Sequence, residues 1–232
     1  MIRLLDYSEK FRKKYFELCW PKVQSELSKH KISFGNLFPE AFIGRTIKKQ
    51  FFEDILTCSI TELIQKYDSV KQYHNIAFLT SLNMKKILKD MKARKYSERR
   101  ILRQQYLYKC ESDNTNTQLG KWTDEYIKKQ GICIDTIVTS NETWDDFIDF
   151  ISQKHITTYK FLCEIFSYET ISRKTKYQIV EDLEICVCPY CNRQYINNIE
   201  NEGDLRVTAD IDHFYPQSAY FLWGISLYNF VP

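Results

Sequence analysis

The stretch that most limits the fold lies near the C-terminus. There Cys188-Pro-Tyr-Cys191 is followed by Ala209-Asp210-Ile211-Asp212-His213-Phe214-Tyr215-Pro216 and then by Asn229. A C-x-x-C knuckle, an Asp-His pair and a later Asn form the grammar of a metal site. Ile185-Cys186-Val187 reads as a short strand delivering Cys188, with Cys186 a strand residue, and Gln194-Tyr195-Ile196 as the return from the knuckle. Leu205 to Asp212 reads as a strand that ends at the site. Neighbouring strand residues point to opposite faces, so Asp212 and His213 serve one site only if the strand ends or bends there. Pro216 and the polar Gln217-Ser218 place that end early.

Residues 177–232 resemble the HNH (ββα-metal) nuclease family. Asp210 to Ser218 is similar to the HNH active-site strand of RNA-guided CRISPR effector nucleases. Cys-Pro-Tyr-Cys-Asn-Arg joined to Asp-His-Phe-Tyr-Pro looks more like the zinc-knuckle HNH proteins of bacterial anti-phage defence, some of which work beside an SMC- or ABC-like ATPase, as in the Septu system. Hydrolysing a phosphodiester needs an activated water and a cation that offsets charge on the leaving and phosphoryl oxygens. The resemblance implies that His213 is the general base, a role suited to an imidazole that is neutral near pH 7. It makes Asp212 the first ligand of Mg²⁺ or Mn²⁺, which take oxygen ligands and keep several waters. Asp210 assists at or behind the metal, and Asn229 pins the histidine-bearing loop through its side-chain amide. Cys188 and Cys191 anchor a structural Zn²⁺ that needs two further ligands. In the family the pattern runs on into a helix with the last metal ligand, and in the zinc-knuckle branch to a second C-x-x-C. These features are expected just beyond Pro232. A longer chain, a shortened one and an inactive remnant all fit what is present.

Six Gly and five Pro in 232 residues argue for long helices with short connections. No run of eighteen apolar residues is present, so no membrane span is expected. The N-terminus lacks the apolar core and cleavage site of a signal peptide, so the chain reads as cytoplasmic. Cys19, Cys58, Cys110, Cys133 and Cys163 are scattered, and are expected to be reduced and buried. Residues 1–130 hold 26 Lys+Arg against 15 Asp+Glu, and residues 131–232 hold 7 against 15. A basic first half joined to an acidic catalytic end suits a division between phosphate and cation binding, though a helical surface of uneven charge would look the same.

Along the chain, Ser8 is a plausible N-cap for a helix over 8–30, which Pro21 should kink or restart. Residues 31–45 read as irregular and 46–67 as one helix. His30 and His74 have no ligand-spaced partners. Lys85 to Lys109 carries ten Lys+Arg against Asp90 and Glu98 on one or two amphipathic helices. Lys92, Arg94, Lys95, Arg99, Arg100 and Arg103 are the candidates for a DNA-backbone track. An acidic partner's interface and a solvated face compete with that reading. Glu111 to Gly120 is a linker, Ile132 to Val138 a strand or extended connection, and Asn141 or Thr143 caps a helix to about 155. Asp145, Asp146 and Asp149 on it are read as favourable helix charges rather than a metal site. Residues 157–170 read as a further helix, and Ser172 caps another to about 183.

The expected architecture is a mainly α N-terminal region plus a small C-terminal α+β HNH (ββα-metal) domain, truncated before its last helix. Its divisions are 1–112 (helical and basic), 113–176 (helical, connecting) and 177–232 (HNH). The expected function is metal-dependent cleavage of DNA phosphodiester bonds in anti-phage defence, with DNA and an SMC/ABC-like ATPase as partners. The alternative is a catalytically inactive nucleic-acid-binding or adaptor subunit carrying a degenerate HNH module.

Overall fold

The computed structural model of the protein describes residues 6–81, 96–110, 117–184, 187–188, 195–196, 198–201, 204–207 and 210–231. The chain is mostly helical, with three two-stranded antiparallel sheets among the described residues. In chain order come α1 (Glu9–Leu37), β1 (Phe42–Ile43), β2 (Thr46–Ile47), α2 (Lys49–Thr57) and α3 (Ile60–Lys66). Next are α4 (Asp68–Ser81), α5 (Tyr96–Cys110), α6 (Gln118–Gln130), α7 (Ile134–Thr139) and α8 (Asn141–Tyr159). Last are α9 (Leu162–Ile165), α10 (Arg173–Asp182), β3 (Asn198–Asn201), β4 (Asp204–Val207), β5 (Asp212–His213) and β6 (Phe230–Val231). The chain forms two compact units, one of Met1–Lys66 with Phe161–Pro232 and the other of Tyr67–Lys160. These limits differ from divisions after residues 112 and 176.

The first unit is discontinuous in sequence, and α1 is its spine. Phe11, Tyr15, Cys19, Val23 and Leu27 recur at four-residue spacing and are buried, so one stripe of the helix faces the core. Ser8 caps it, its hydroxyl accepting the Phe11 N–H (3.2 Å) while its own N–H and O–H donate to Asp182 (2.8 and 2.7 Å). The helix runs through Pro21 rather than restarting there. The non-helical residue is His30 (φ −116°, ψ 15°), and the helix continues to Leu37 through the stretch expected to be irregular. Tertiary packing accounts for that: Phe34 is fully buried, with its ring 4.8 Å from Phe38 and 5.3 Å from Phe52. The single helix expected over 46–67 is two. Ser59 and Glu62 form a reciprocal capping box (Ser59 N–H to Glu62 at 3.0 Å, Glu62 N–H to Ser59 Oγ at 3.3 Å) that starts α3 afresh. His30 Nε2 lies 2.8 Å from Glu164 Oε2.

The second unit packs α4, α6 and α7 around α8, burying Tyr73, Trp122, Ile137, Trp144, Phe147 and Ile151. Ile134–Thr139 is a helix, where β-branched composition suggested a strand. Its neighbours Ile137 and Val138 are both buried, so packing overrides propensity. Ser140, not Asn141 or Thr143, caps α8, accepting the Thr143 N–H at 3.2 Å. The basic helix α5 also departs from expectation. Arg103 is 1% exposed and donates to the Val138 carbonyl (3.1 Å) and to Asn141 Oδ1, over the Trp144 ring. Such a guanidinium serves the core of this unit and is not available to phosphate. Arg100 is exposed and pairs with Asp135 (3.0 Å), and Arg99 is half-buried. Lys92, Arg94 and Lys95 lie outside the described residues. No helix among the described residues is long and apolar enough to cross a membrane.

In the first unit, Tyr7 and Tyr15 donate their hydroxyls to the carbonyls of Leu227 (3.2 Å) and Ile225 (2.7 Å). Burial raises both phenol pKa values, so both remain donors. Tyr15→Phe leaves the Ile225 carbonyl buried without that donor. Unfolding in urea is expected to show a loss of about 1–3 kcal/mol at an unchanged m-value.

Candidate active site

Leu205 to Asp212 is not one strand. Leu205–Val207 belongs to β4, paired with β3, whereas Asp212–His213 forms β5, paired with β6 (Asp212 opposite Val231, His213 opposite Phe230). β5 ends after His213 and the chain bends at Phe214-Tyr215. Asp212 is exposed and His213 half-buried, the alternation a strand imposes.

The loop between β5 and β6 is closed by one side chain. Asn229 is fully buried. Its Oδ1 accepts the Tyr215 N–H (2.7 Å), and its Nδ2 donates to the carbonyls of Tyr215 and Trp223 (3.1 Å each). The task needs two donors and one acceptor on a short side chain, which is what the Asn amide supplies. The backbone carbonyl of Asn229 also accepts the Phe214 N–H at 2.9 Å.

His213 Nε2 lies 3.0 Å from the Gly224 carbonyl and 2.8 Å from the Gln217 side-chain nitrogen. A carbonyl can only accept, so we assign the neutral ring's proton to Nε2; the Gln217 amide nitrogen also donates to the Gly224 carbonyl at 3.4 Å. Nδ1 then keeps the lone pair and has no hydrogen-bond partner among the described residues. The ring is held edge-to-face by Tyr168 (5.0 Å, 78°) and Phe230 (5.2 Å, 74°). Burial lowers its pKa below the ordinary histidine value. The Gly224 carbonyl and the Asp212 charge oppose that shift, and Lys176 adds to it.

No family model, curated protein or solved structure matches the chain.

Asp212 Oδ1 accepts the N–H of His213 at 2.7 Å, and the carboxylate is otherwise exposed. Asp210 is exposed too. Among the described residues no three His, Cys, Asp or Glu side chains gather into a cage. Asp212 and His213 alternate across β5, and the carboxylate reaches the His213 backbone N–H; a single exposed carboxylate is one of the one or two that Mg²⁺ takes, with waters completing its shell. Val187 pairs antiparallel with Tyr195. Cys188 is half-buried with a free thiol, and Cys191 lies outside the described residues.

Four residues of this site were not singled out from the sequence. Gln217 stood inside the motif but was read only as a strand stop. Gly224 is a glycine for a packing reason: a Cβ there would meet the Phe166 carbonyl oxygen at 2.2 Å. Tyr168 and Lys176 precede the motif and reach it only through the fold.

Two outcomes follow from this geometry. An NMR titration of the His213 ring should give an inflection below about 6.5, the unperturbed value. The folded protein takes this proton less readily than the unfolded chain. The associated stability is therefore fully present above about pH 6.5 and is lost as pH falls through the folded value. Gly224→Ala forces the carbonyl that holds His213 away from Phe166. It is expected to lower stability by about 1–3 kcal/mol and to shift the His213 ring resonances, read by denaturation and by the same spectra.

Proposed function

We propose that this chain is a metal-dependent HNH endonuclease that hydrolyses DNA phosphodiester bonds. The observation that carries the reading is the one-ended tether of His213. Its Nε2–H is held by the Gly224 carbonyl, and its Nδ1 lone pair is left for a water proton. The short β5–β6 pair and the Asn229-stapled loop have the form expected of the ββ part of such a module. Burial keeps the imidazole neutral near pH 7, and the Gly224 carbonyl and Asp212 stabilise the imidazolium once it has taken a proton. Asp212, with Asp210 close by in sequence, would hold the divalent cation, which supplies charge neutralisation at the phosphoryl and leaving oxygens. Cys188 and Cys191 are assigned to structural Zn²⁺, with two ligands from elsewhere. On the sequence resemblance we place the enzyme in anti-phage defence beside an SMC- or ABC-like ATPase. Arg99 is the candidate for a DNA-backbone contact among the described residues of this run, since Arg100 pairs with Asp135 and Arg103 is buried on Val138 and Asn141.

The deciding experiment is nicking of supercoiled plasmid with Mg²⁺. His213→Ala is expected to lose about 10²-fold or more of the rate with the helical content of the fold retained, read by circular dichroism. Asp212→Asn should require a higher Mg²⁺ concentration for half-maximal cutting. Undiminished cleavage by His213→Ala would falsify the assignment.

A further inference from the structure

The unit that holds the site, Met1–Lys66 with Phe161–Pro232, carries 17 Lys+Arg against 18 Asp+Glu and so offers a polyanion no net positive charge. A polyanion approaching His213 therefore needs a local cation. Lys176, on α10, stands where one is wanted. Its Nζ lies 4.3 Å from the Tyr168 ring centroid, and that ring centroid lies 5.0 Å from the ring of His213. The ammonium is thus no farther from the imidazole than these two separations laid end to end. Tyr168 is fixed in turn by its hydroxyl, which donates to the Ile211 carbonyl at 3.4 Å, just before Asp212.

Like Lys31 over Phe42 and Lys49 over Phe16, Lys176 lies over an aromatic ring with no ion pair among the described residues, and its ring is the one packed against His213. Lys13, Lys22, Lys29, Lys66 and Lys154 each pair with a carboxylate, which neutralises them. Among the described residues no carboxylate lies within ion-pair distance of Lys176. A cation over an aromatic face is oriented by the ring quadrupole, yet its N–H donors are not consumed as they are in a salt bridge. We propose that Lys176 is a substrate-binding residue, taking the phosphate of the nucleic-acid strand next to the scissile one and positioned for it by Tyr168. The proposal rests on the nuclease reading of His213. It deepens that reading by assigning a backbone contact outside the Cys188–Asn229 motif, one that carries no base preference.

The test is binding of a fluorescein-labelled DNA duplex to the full chain by anisotropy, without Mg²⁺ and across a salt series. Plasmid nicking is measured separately. Lys176→Met keeps an apolar stem of similar length over Tyr168 and removes the charge. It should weaken binding several-fold and make the slope of log K against log[salt] shallower by about one. In nicking it should raise KM several-fold with kcat largely retained. Lys176→Arg should restore both the slope and KM. Lys174→Met, at an exposed position on the same helix that makes no ring contact among the described residues, is the control and should change either quantity less. A wild-type slope and KM in Lys176→Met overturn the proposal even if the wild-type chain cuts DNA. So does a fall in kcat at unchanged KM, since that belongs to the chemical step. A shallower slope in Lys176→Met, alongside a wild-type chain that binds DNA but never cuts it, supports the phosphate contact and defeats the nuclease reading.

Discussion

The site depends on one buried amide. Asn229 ties the N–H and carbonyl of Tyr215 and the carbonyl of Trp223 to a single side chain. His213 lies two residues before Tyr215, and Gly224 directly follows Trp223, so the same amide brings both partners of the His213–Gly224 hydrogen bond to their separation. A buried polar group deprived of its partner costs about 1–3 kcal/mol, and this amide serves three such groups at once. The position is therefore specified by hydrogen-bond chemistry more than by volume. An aspartate of the same size would turn an acceptor toward two carbonyls.

A two-residue strand pair does not hold itself together in water. The loop between β5 and β6 is secured a second time by α1 and the residue before its cap. The Tyr15 and Tyr7 hydroxyls take the carbonyls of Ile225 and Leu227 across sequence separations of 210 and 220 residues. Trp223 and Leu222 are fully buried in the same unit. This explains why the unit is discontinuous: the short-range closure around Asn229 orients the histidine, and the long helix from the other end of the chain keeps that closure from opening.

The residues visible in the sequence were those whose work is local. Ser8 and Ser172 announce helix starts because a cap hydroxyl serves N–H groups only three residues on. The Asp-His pair and Asn229 stood out through the resemblance to the HNH motif, and Asn229 closes the loop that separates them. What was hidden depends on neighbours distant in sequence. The helix through Phe34 persists because buried aromatic rings outweigh the loop signal of Gly35-Asn36. The strand expected over 205–212 splits because its halves pair with different partners, which alternation alone does not reveal. Tyr168 and Lys176 carry no motif; only packing brings them to the imidazole.

Arg103 and Lys176 show why counting cations does not locate a phosphate site. The basic run containing Arg103 was the most conspicuous charge feature of the chain, yet that guanidinium is spent on a carbonyl and an amide inside its own unit. Both terminal nitrogens of Arg103 are hydrogen-bonded inside the unit, and a guanidinium 1% exposed cannot reach a ligand's phosphate. Lys176 sits in a stretch, residues 131–232, whose Asp+Glu outnumber its Lys+Arg, so composition alone would not point to it. Among the described residues an aromatic face, not a carboxylate, orients it, and that contact does not use up its donors. Whether a cation can bind phosphate is decided by what already occupies its hydrogen-bond donors. That property belongs to the folded neighbourhood and not to the composition of the segment.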